Sequence, residues 1–358
     1  MIVLTGPLAA RAVLDALCLE GTAMTLNASL AGVGGGIDRN HWPVLTPAAG
    51  TTPGVAVVPN DALRRYAAVM GLQVYEFDSH HILGIAGIGP AEGAKWRQDP
   101  AKQDLAAEIA RQIVQAPAEL SVDHLAWRLP MIGIWASSRL RAARMEPSGK
   151  GVVPPPDADA VRVVERRTRF SGYFAVEEHR LSHALHEGGH SDPVTREAFL
   201  MGDAAVLLPW DPQRDRVLLV DQFRFAPAVR GDPQPWLLEP VAGRVDAGEA
   251  VEDALRREAR EEAALDVGRM FPAASVYPSP GAVCEFIYHY VGIADLPDGS
   301  AGVHGAESEA EDIRGHLMPR RQLSDMVRDG QITNGPLVLL SLWLDAQADR
   351  LKAELAGG

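Results

Sequence analysis

Apolar residues recur at helical spacing in one stretch of the chain, from Gly243 to Val267. From Glu249 onward no Gly or Pro interrupts a run of good helix formers. Before it, Asp246 and Gly248 are residues that favour turns. The pattern therefore predicts a loop followed by a helix.

The charges of this helix lie in an unusual place. With Val251 at zero and about 100° per residue, Leu255 and Leu265 fall at roughly +40° and −40° and define an apolar stripe. Glu258 and Glu262 fall within about 20° of its centre, so they face the direction in which the helix should be buried. The other charges lie at the edge of the stripe or opposite it: Glu261, Arg256, Arg257 and Arg260.

A solvated helix held by Glu–Arg pairs is the simpler interpretation, with Arg257 and Glu261 as one such pair. That interpretation requires carboxylates away from the apolar stripe, and the wheel puts two of them in it. A buried carboxylate without a counter-charge is costly. Because Arg257 projects to the opposite side on the wheel, we expect a hard divalent cation at this face, and oxygen ligands favour Mg²⁺ or Mn²⁺.

The same residues resemble the Nudix box, G-x5-E-x7-R-E-U-x-E-E-x-G-U, in which U is aliphatic. The matching positions are Gly243, Glu249, Arg257, Glu258, Ala259, Glu261, Glu262 and Leu265. Ala264 stands where the family has Gly. Since that position lies near the predicted helix end, we expect a small backbone adjustment and an intact metal face.

Periodicity elsewhere predicts the surrounding fold. Strands are expected at Ala204 to Leu208 and at Val217 to Val220, an early strand near Tyr173 to Val176, and a closing helix from about Leu337 to Leu355. Strands that precede the box helix fit an α/β/α sandwich in which the helix packs on a mixed sheet.

The resemblance continues beyond the box, to the bacterial ADP-ribose pyrophosphatase branch of Nudix hydrolases. It runs from about Arg167 to the closing helix, through SGYF, TREAF, DQFRF, WLLEPVAG, SPGAVCE and the acidic loop HGAESEAEDIR. It implies metal ligands at the Ala242 carbonyl, Glu258, Glu262 and Glu311, supported by Glu261. It also implies Glu309 as the general base or water positioner. The implied substrate contacts are Tyr173 stacked on adenine, Arg224, Glu285, and Arg196 and Glu197 acting across a dimer interface.

Composition limits the class of protein. The chain has 358 residues, enough for two domains, and a formal charge of −13 that argues against nucleic acid and anionic membranes as partners. Cys18 and Cys284 do not make a disulfide framework. The first residues, MIVLTGPLAARAVLD, lack the features of a signal peptide, and no apolar run reaches membrane-spanning length. We therefore expect a cytoplasmic protein.

A proline-rich segment, residues 146–160, predicts a linker between a domain at 1–145 and the Nudix domain at 161–358. The first domain weakly resembles the gamma-glutamyl cyclotransferase-like (AIG2-like) family, which implies a small β-barrel-like α+β fold. In the family's substrate loop this chain has Thr5-Gly6-Pro7-Leu8, and Pro7 lacks an N–H. Ala67 stands at the aligned position of the family's acid, so we expect an inactive domain. Glu76 is a nearby substitute acid, or a carboxylate at a strand end.

Histidines recur at His179, His183, His186 and His190, which on one helix would form a zinc-like face. Against zinc, Glu187-Gly188-Gly189 signals a hairpin turn that would divide the series between two strands. The pair His80-His81 is not expected to bind a metal, because adjacent strand residues face opposite sides.

The sequence thus predicts a homodimeric, Mg²⁺-dependent hydrolase that splits ADP-ribose into AMP and ribose 5-phosphate. One alternative is a Nudix hydrolase of another nucleoside diphosphate sugar. The other is a non-catalytic sensor that binds ADP-ribose. The fusion of the two domains also resembles a group of bacterial proteins linked with tellurite resistance, a link that implies no additional chemistry.

Overall fold

The computed structural model describes residues 1–47, 49–85, 94–147, 149, 151–305 and 312–357. The chain divides into two compact units, one of Met1–Gly202 with Asp246–Gly248 and one of Asp203–Val245 with Glu249–Gly358. The described residues between Ala142 and Val161 form no helix or strand. The linker at 146–160 and the domains on either side of it remain a prediction of the sequence.

The first unit contains most of the short elements. Its strands are β1 (Ile2–Thr5), β2 (Gly21–Leu26), β3 (Ser29–Ala31), β4 (Val44–Thr46), β5 (Thr52–Val57), β6 (Gln73–Phe77), β7 (His80–Gly84), β8 (Val161–Ser171) and β9 (Ala175–His183). Its helices are α1 (Arg11–Ala16), α2 (Asp61–Val69), α3 (Pro100–Gln115), α4 (Val122–Trp127) and α5 (Leu129–Ala142), with a 3₁₀ turn at Gly6–Ala9. A long strand, β10 (Val194–Asp211), contributes residues to both units.

Five of these strands form a sheet in the order β2-β5-β1-β7-β6, with β1 and β7 parallel. Among the described strands, no pairing closes this sheet into a barrel. Helix α3 begins where the Asp99 side chain accepts the N–H of Ala101 at 3.0 Å, with Pro100 as the first helical residue. Its Leu105, Ile109 and Ile113 recur at helical spacing and are buried.

β8, β9 and the start of β10 form an antiparallel meander in the first unit. β9 begins at Ala175 rather than near Tyr173, because Tyr173 lies in the turn that joins β8 to β9. The next connection bends at Gly188 and Gly189, both at positive φ.

The four histidines of the series lie on β9 and on the connection from β9 to β10. His179 and His183 lie in β9, His186 lies in the turn, and His190 bridges to Ala184. The four residues share no helix, and no metal-binding group of three or more His, Cys, Asp or Glu occurs in the part of the chain that the structure describes.

The second unit holds the longer elements. They are β11 (Arg216–Phe223), α6 (Phe225–Arg230), β12 (Trp236–Glu239), β13 (Val241–Arg244), α7 (Val251–Ala263), β14 (Met270–Val276), β15 (Val283–Ile293), β16 (Val303–His304), β17 (Ile313–Pro319), α8 (Arg320–Arg328) and α9 (Gly335–Ala356). The sheet order is β14-β15-β10-β11-β17-β16, with β12 paired to β11 and β13 to β10. None of the described helices is both long and apolar enough to cross a membrane.

Alternate residues of β11 pack on opposite faces of this sheet. Val217 and Leu219 join the cluster that includes α8 and α9, whereas Leu218 and Val220 join the cluster that includes α7. A period of two is the consequence of the pleat, and burial on both faces explains the continuous apolar run. The predicted α/β/α sandwich is confirmed.

Candidate active site

Helix α7 places the box carboxylates on the sheet. It begins at Val251, two residues later than the pattern suggested, and ends at Ala263. Glu252 and Asp253 in its first turn and Arg260 in its last turn complement the helix dipole. The helix ends because Ala264 adopts the left-handed conformation, with φ 51° and ψ 34°.

Glu262 is buried beneath the helix, with 2% of the residue exposed. Its Oε2 accepts the backbone N–H of Ala242 at 3.0 Å, and its Oε1 accepts the side-chain amide of Gln222 at 3.4 Å. Position in the centre of the apolar stripe explains the burial. The two hydrogen bonds compensate part of the cost of removing a carboxylate from water.

Glu258 lies directly against the backbone of β13. A Cβ added at Gly243 would stand 1.8 Å from Glu258 Oε1 and 2.0 Å from its Cδ, so a side chain at 243 would displace the carboxylate. The box glycine is therefore a steric requirement for this approach.

Arg257 corrects the prediction that it projects away from the carboxylates. Its guanidinium binds Glu258 at 2.7 Å, Glu261 at 3.2 Å and Glu249 at 3.0 Å, and it donates to the Arg244 carbonyl at 3.1 Å. The long, flexible side chain curves back across the helix, which a wheel of Cβ directions does not represent. The hydrogen bond to Glu249 is the main cause that raises the pKa of Arg257.

The oxygen atoms on this face of the helix are suitable ligands for a hard divalent cation. Glu258 and Glu262 present carboxylate oxygens beside the backbone of Ala242, and oxygen ligands are those that Mg²⁺ prefers. The absence of a side chain at Gly243 lets the Glu258 carboxylate pack against β13, next to Ala242. Glu261 lies at the edge with its side chain about half exposed. Glu309 and Glu311 lie outside the described residues, and the described ones alone form no group of three metal-binding side chains.

A second group of charges lies in the same unit. Arg224, which follows β11, makes a bidentate hydrogen-bonded ion pair with Glu239 at 2.7 to 3.1 Å. Glu239 is buried, with 3% of the residue exposed. Burial raises the pKa of Glu285 from its ordinary value, while Arg244 and Arg224 act to lower it and Asp203 to raise it. The predicted substrate residues Arg224 and Glu285 are therefore electrostatic neighbours.

The remaining predicted contacts lie in the first unit. Tyr173 is 55% exposed and meets Phe174 edge-on, with ring centroids 4.9 Å apart. Arg196 and Glu197 are exposed on β10, opposite His179 and Glu178 of β9. Arg196 donates to the Thr195 carbonyl at 2.9 Å.

Sequence reasoning missed two residues of this site. Glu239 ends an apolar strand, Trp-Leu-Leu-Glu. An acidic residue at the end of such a strand was the sequence feature that could have identified it as part of the site. Gln222 faces α7 by the alternation of β11, although nothing in its local sequence indicates a bond to Glu262.

Comparisons with known proteins concern the second half of the chain. A family model described as NUDIX domain matches residues 201–338. The ADP-ribose pyrophosphatase of Escherichia coli (strain K12) is 44% identical over 196 residues, which is 55% of this chain and 93% of that protein. The ADP-ribose pyrophosphatase of Haemophilus influenzae is 35% identical over 194 residues, 54% of this chain and 89% of that protein. A GDP-mannose pyrophosphatase of Salmonella paratyphi B is 37% identical over 149 residues, 42% of this chain and 76% of that protein.

Proposed function

The chain belongs to the Nudix family, and from that premise we propose that it hydrolyses the pyrophosphate bond of ADP-ribose to AMP and ribose 5-phosphate, with Mg²⁺ as the cofactor and Mn²⁺ as the alternative metal. The 44% identity to a protein named ADP-ribose pyrophosphatase, across 93% of its length, carries this proposal. The carboxylates of α7 support it, since Glu262 and Glu258 are packed against the strand that bears Ala242.

Ala242 through its carbonyl, Glu258, Glu262 and Glu311 would hold the metal, with Glu261 at the edge of the cluster. A divalent cation held there would neutralise charge on the pyrophosphate and lower the pKa of a bound water. Arg257 keeps Glu258, Glu261 and Glu249 in place through hydrogen bonds to their carboxylates. Glu309, from the acidic loop, would accept the proton of the attacking water at its carboxylate.

Arg224 would bind a phosphoryl oxygen of the substrate. Its two-pronged bond to Glu239 fixes the plane of the guanidinium, so less side-chain freedom is lost when the substrate binds. Glu285 would contact the polar part of the substrate, next to Arg224 and Arg244.

We also propose a homodimer, in which Tyr173 stacks on adenine and Arg196 and Glu197 reach the nucleotide of the partner subunit's site. The exposure of all three side chains supports this role. Light scattering at assay concentration should give twice the mass of one chain. A fully active monomer would contradict the assignment of Arg196 and Glu197.

Two alternatives to this function are distinguished by experiment. The relative named GDP-mannose pyrophosphatase favours a different nucleoside diphosphate sugar as substrate. A sensor that only binds ADP-ribose is the second alternative, although the arrangement of Glu258, Glu261 and Glu262 around Arg257 supports an enzyme.

The decisive experiment measures release of AMP from ADP-ribose by the full-length protein with and without Mg²⁺, with the products resolved by chromatography. Glu262→Gln should abolish most turnover. Glu252→Gln is the matched control, because it is the same chemical change on the exposed side of α7. There Glu252 pairs with Arg256 at 3.6 Å. Equal activity of Glu262→Gln and wild type would refute the site, and a wild type that binds ADP-ribose without turnover would establish the sensor.

Relative turnover of ADP-ribose, ADP-glucose and GDP-mannose then decides the substrate, and preference for GDP-mannose would overturn the choice of ADP-ribose.

For residues 1–145 we propose a cyclotransferase-like domain without catalysis. Ala67 is buried in α2 and Pro7 lies in the 3₁₀ turn after β1, so neither position offers an acid or an N–H donor. A link with tellurite resistance would add no reaction to this proposal.

A further inference from the structure

A cavity of about 570 Å³ lies within the first unit, among residues that the Nudix chemistry does not use. Its walls come from the end of α3, from α5, and from strands β8, β9 and β10. Five arginines line it: Arg128, Arg139, Arg166, Arg167 and Arg169.

Three of these arginines are neutralised by carboxylates outside the lining. Arg139 pairs with Glu108 at 3.2 Å. Arg167 pairs with Glu165, and Arg169 with Glu178, each at 2.7 Å. By contrast, Arg128 and Arg166 make no ion pair within the described part of the chain.

Two acids also line the cavity. Glu177 already bonds His179 Nε2 at 2.7 Å, and Glu119 is exposed and makes no ion pair with a described residue. The lining therefore carries more positive than negative charge around Arg128 and Arg166.

Arg128 is the unusual member of the group. Its Nη1 donates to Ser171 Oγ at 2.9 Å, and His124 Nε2 lies 3.3 Å from the same oxygen. Its Nε is buried and has no hydrogen-bond partner among the described residues. A desolvated cation with an unused donor is costly, and burial lowers the pKa of Arg128 accordingly. An anion in the cavity would compensate this cost.

The lining of the cavity also contains apolar residues. Met131, Ile132 and Leu200 are buried and Trp135 lies beside them. A volume of this size exceeds that of a single inorganic anion and falls within the range of small-molecule sites. A lining that has both cationic and apolar side chains selects a ligand that has both an anionic and an apolar part.

We propose that this cavity binds a phosphate ester of a small organic molecule, with the phosphate at Arg128 and Arg166 and the carbon skeleton against Trp135 and its apolar neighbours. Phosphate is preferred over carboxylate because its additional oxygens can accept from two separate guanidinium groups. This site is distinct from the carboxylates of α7, and it does not depend on the proposed function.

Calorimetric titration of full-length, metal-free protein tests the proposal with three probes: phenyl phosphate, inorganic phosphate and benzoate. We expect phenyl phosphate to bind most tightly at one site per chain, since only it has both the phosphate and an apolar ring. Arg128→Gln and Arg166→Gln should each weaken its binding about tenfold or more, the effect of losing one charge-assisted hydrogen bond. Trp135→Phe should remove the fluorescence change that accompanies binding.

Arg162→Gln is the matched control, because Arg162 lies on β8 but outside the cavity lining and should leave binding unchanged. If Arg128→Gln fails to fold by circular dichroism, the exposed Arg166 decides. Equal affinity in wild type and the folded arginine variants, or tighter binding of benzoate, overturns the proposal. Arginine-dependent binding by a protein that does not hydrolyse ADP-ribose would uphold this site and refute only the proposed function.

Discussion

Ala264→Gly should stabilise the protein, although it removes a methyl group. Ala264 is exposed and has φ 51°, so its Cβ gains little from packing and bears the steric cost of the left-handed conformation. That conformation costs a non-glycine residue about 1–2 kcal/mol. Glycine also increases the conformational entropy of the unfolded chain, which lowers the free energy of unfolding by about 0.4–1 kcal/mol. The expected gain is about 0.5–1 kcal/mol.

The hydrogen bonds of this helix end should survive the change. Ala264 N–H donates to the Arg260 carbonyl at 3.1 Å, and Leu265 N–H donates to the Ala259 carbonyl at 2.9 Å. Both use backbone atoms only. Leu265 is buried in the cluster around α7, so the turn itself must be retained. Turnover of ADP-ribose should therefore change little.

Urea unfolding of the full-length variant measures the effect as a higher midpoint with an unchanged slope. Ala346→Gly is the control, since Ala346 is exposed in the interior of α9 in the same unit, where glycine should cost about 1 kcal/mol. The same chemical change should thus have opposite signs at the two positions. If both variants lose stability to a similar extent, Ala264 does not occupy the left-handed conformation.

Three further perturbations concern the site itself. Gly243→Ala should displace the Glu258 carboxylate, for which the added Cβ leaves no room, and reduce kcat about 100-fold or more with the fold retained by circular dichroism. Glu239→Gln should raise the KM for ADP-ribose about tenfold, because Arg224 loses the charge that holds it in place. Glu285→Gln should raise the free energy of unfolding at pH 8 and leave it unchanged near pH 3.

The sign of the last prediction follows from linkage. The pKa of Glu285 is raised in the folded protein, so the folded state binds the proton more tightly and stability falls as pH rises from about 4.5 through the raised value. Ionised Glu285 therefore costs stability above that window, and Gln removes the cost. Equal effects of Glu285→Gln on the free energy of unfolding at pH 3 and pH 8 would contradict this prediction.

For Gly243→Ala, an unchanged kcat would refute the steric role of the glycine. For Glu239→Gln, kinetics that differ from wild type only in kcat would refute the role of Glu239 in holding Arg224.

The local pattern of the sequence determined the elements and one half of the site. Helical spacing placed Glu262 in the apolar stripe of α7, and the structure buries it there. The apolar run from Val217 to Val220 predicted a strand, and the structure buries that strand on both faces of the sheet. These features depend on residues within one or two turns or a few strand positions, so they can be read from a short segment.

Tertiary structure decided which charges meet. The pair of Arg224 and Glu239 exists because β11 and β12 align with Val220 opposite Glu239, and that register is set by packing far along the chain. Arg257 turns towards Glu249 and Glu258 because all three meet beside β13, whereas a helical wheel considers one element alone.

Only the fold, in the same way, brings Arg128 of the α4–α5 junction to Ser171 of β8, and only the fold sets Ala264 in a left-handed turn. Periodicity records which face of an element is buried. It does not indicate which helix or strand packs on that face, because that packing depends on contacts between residues distant in sequence.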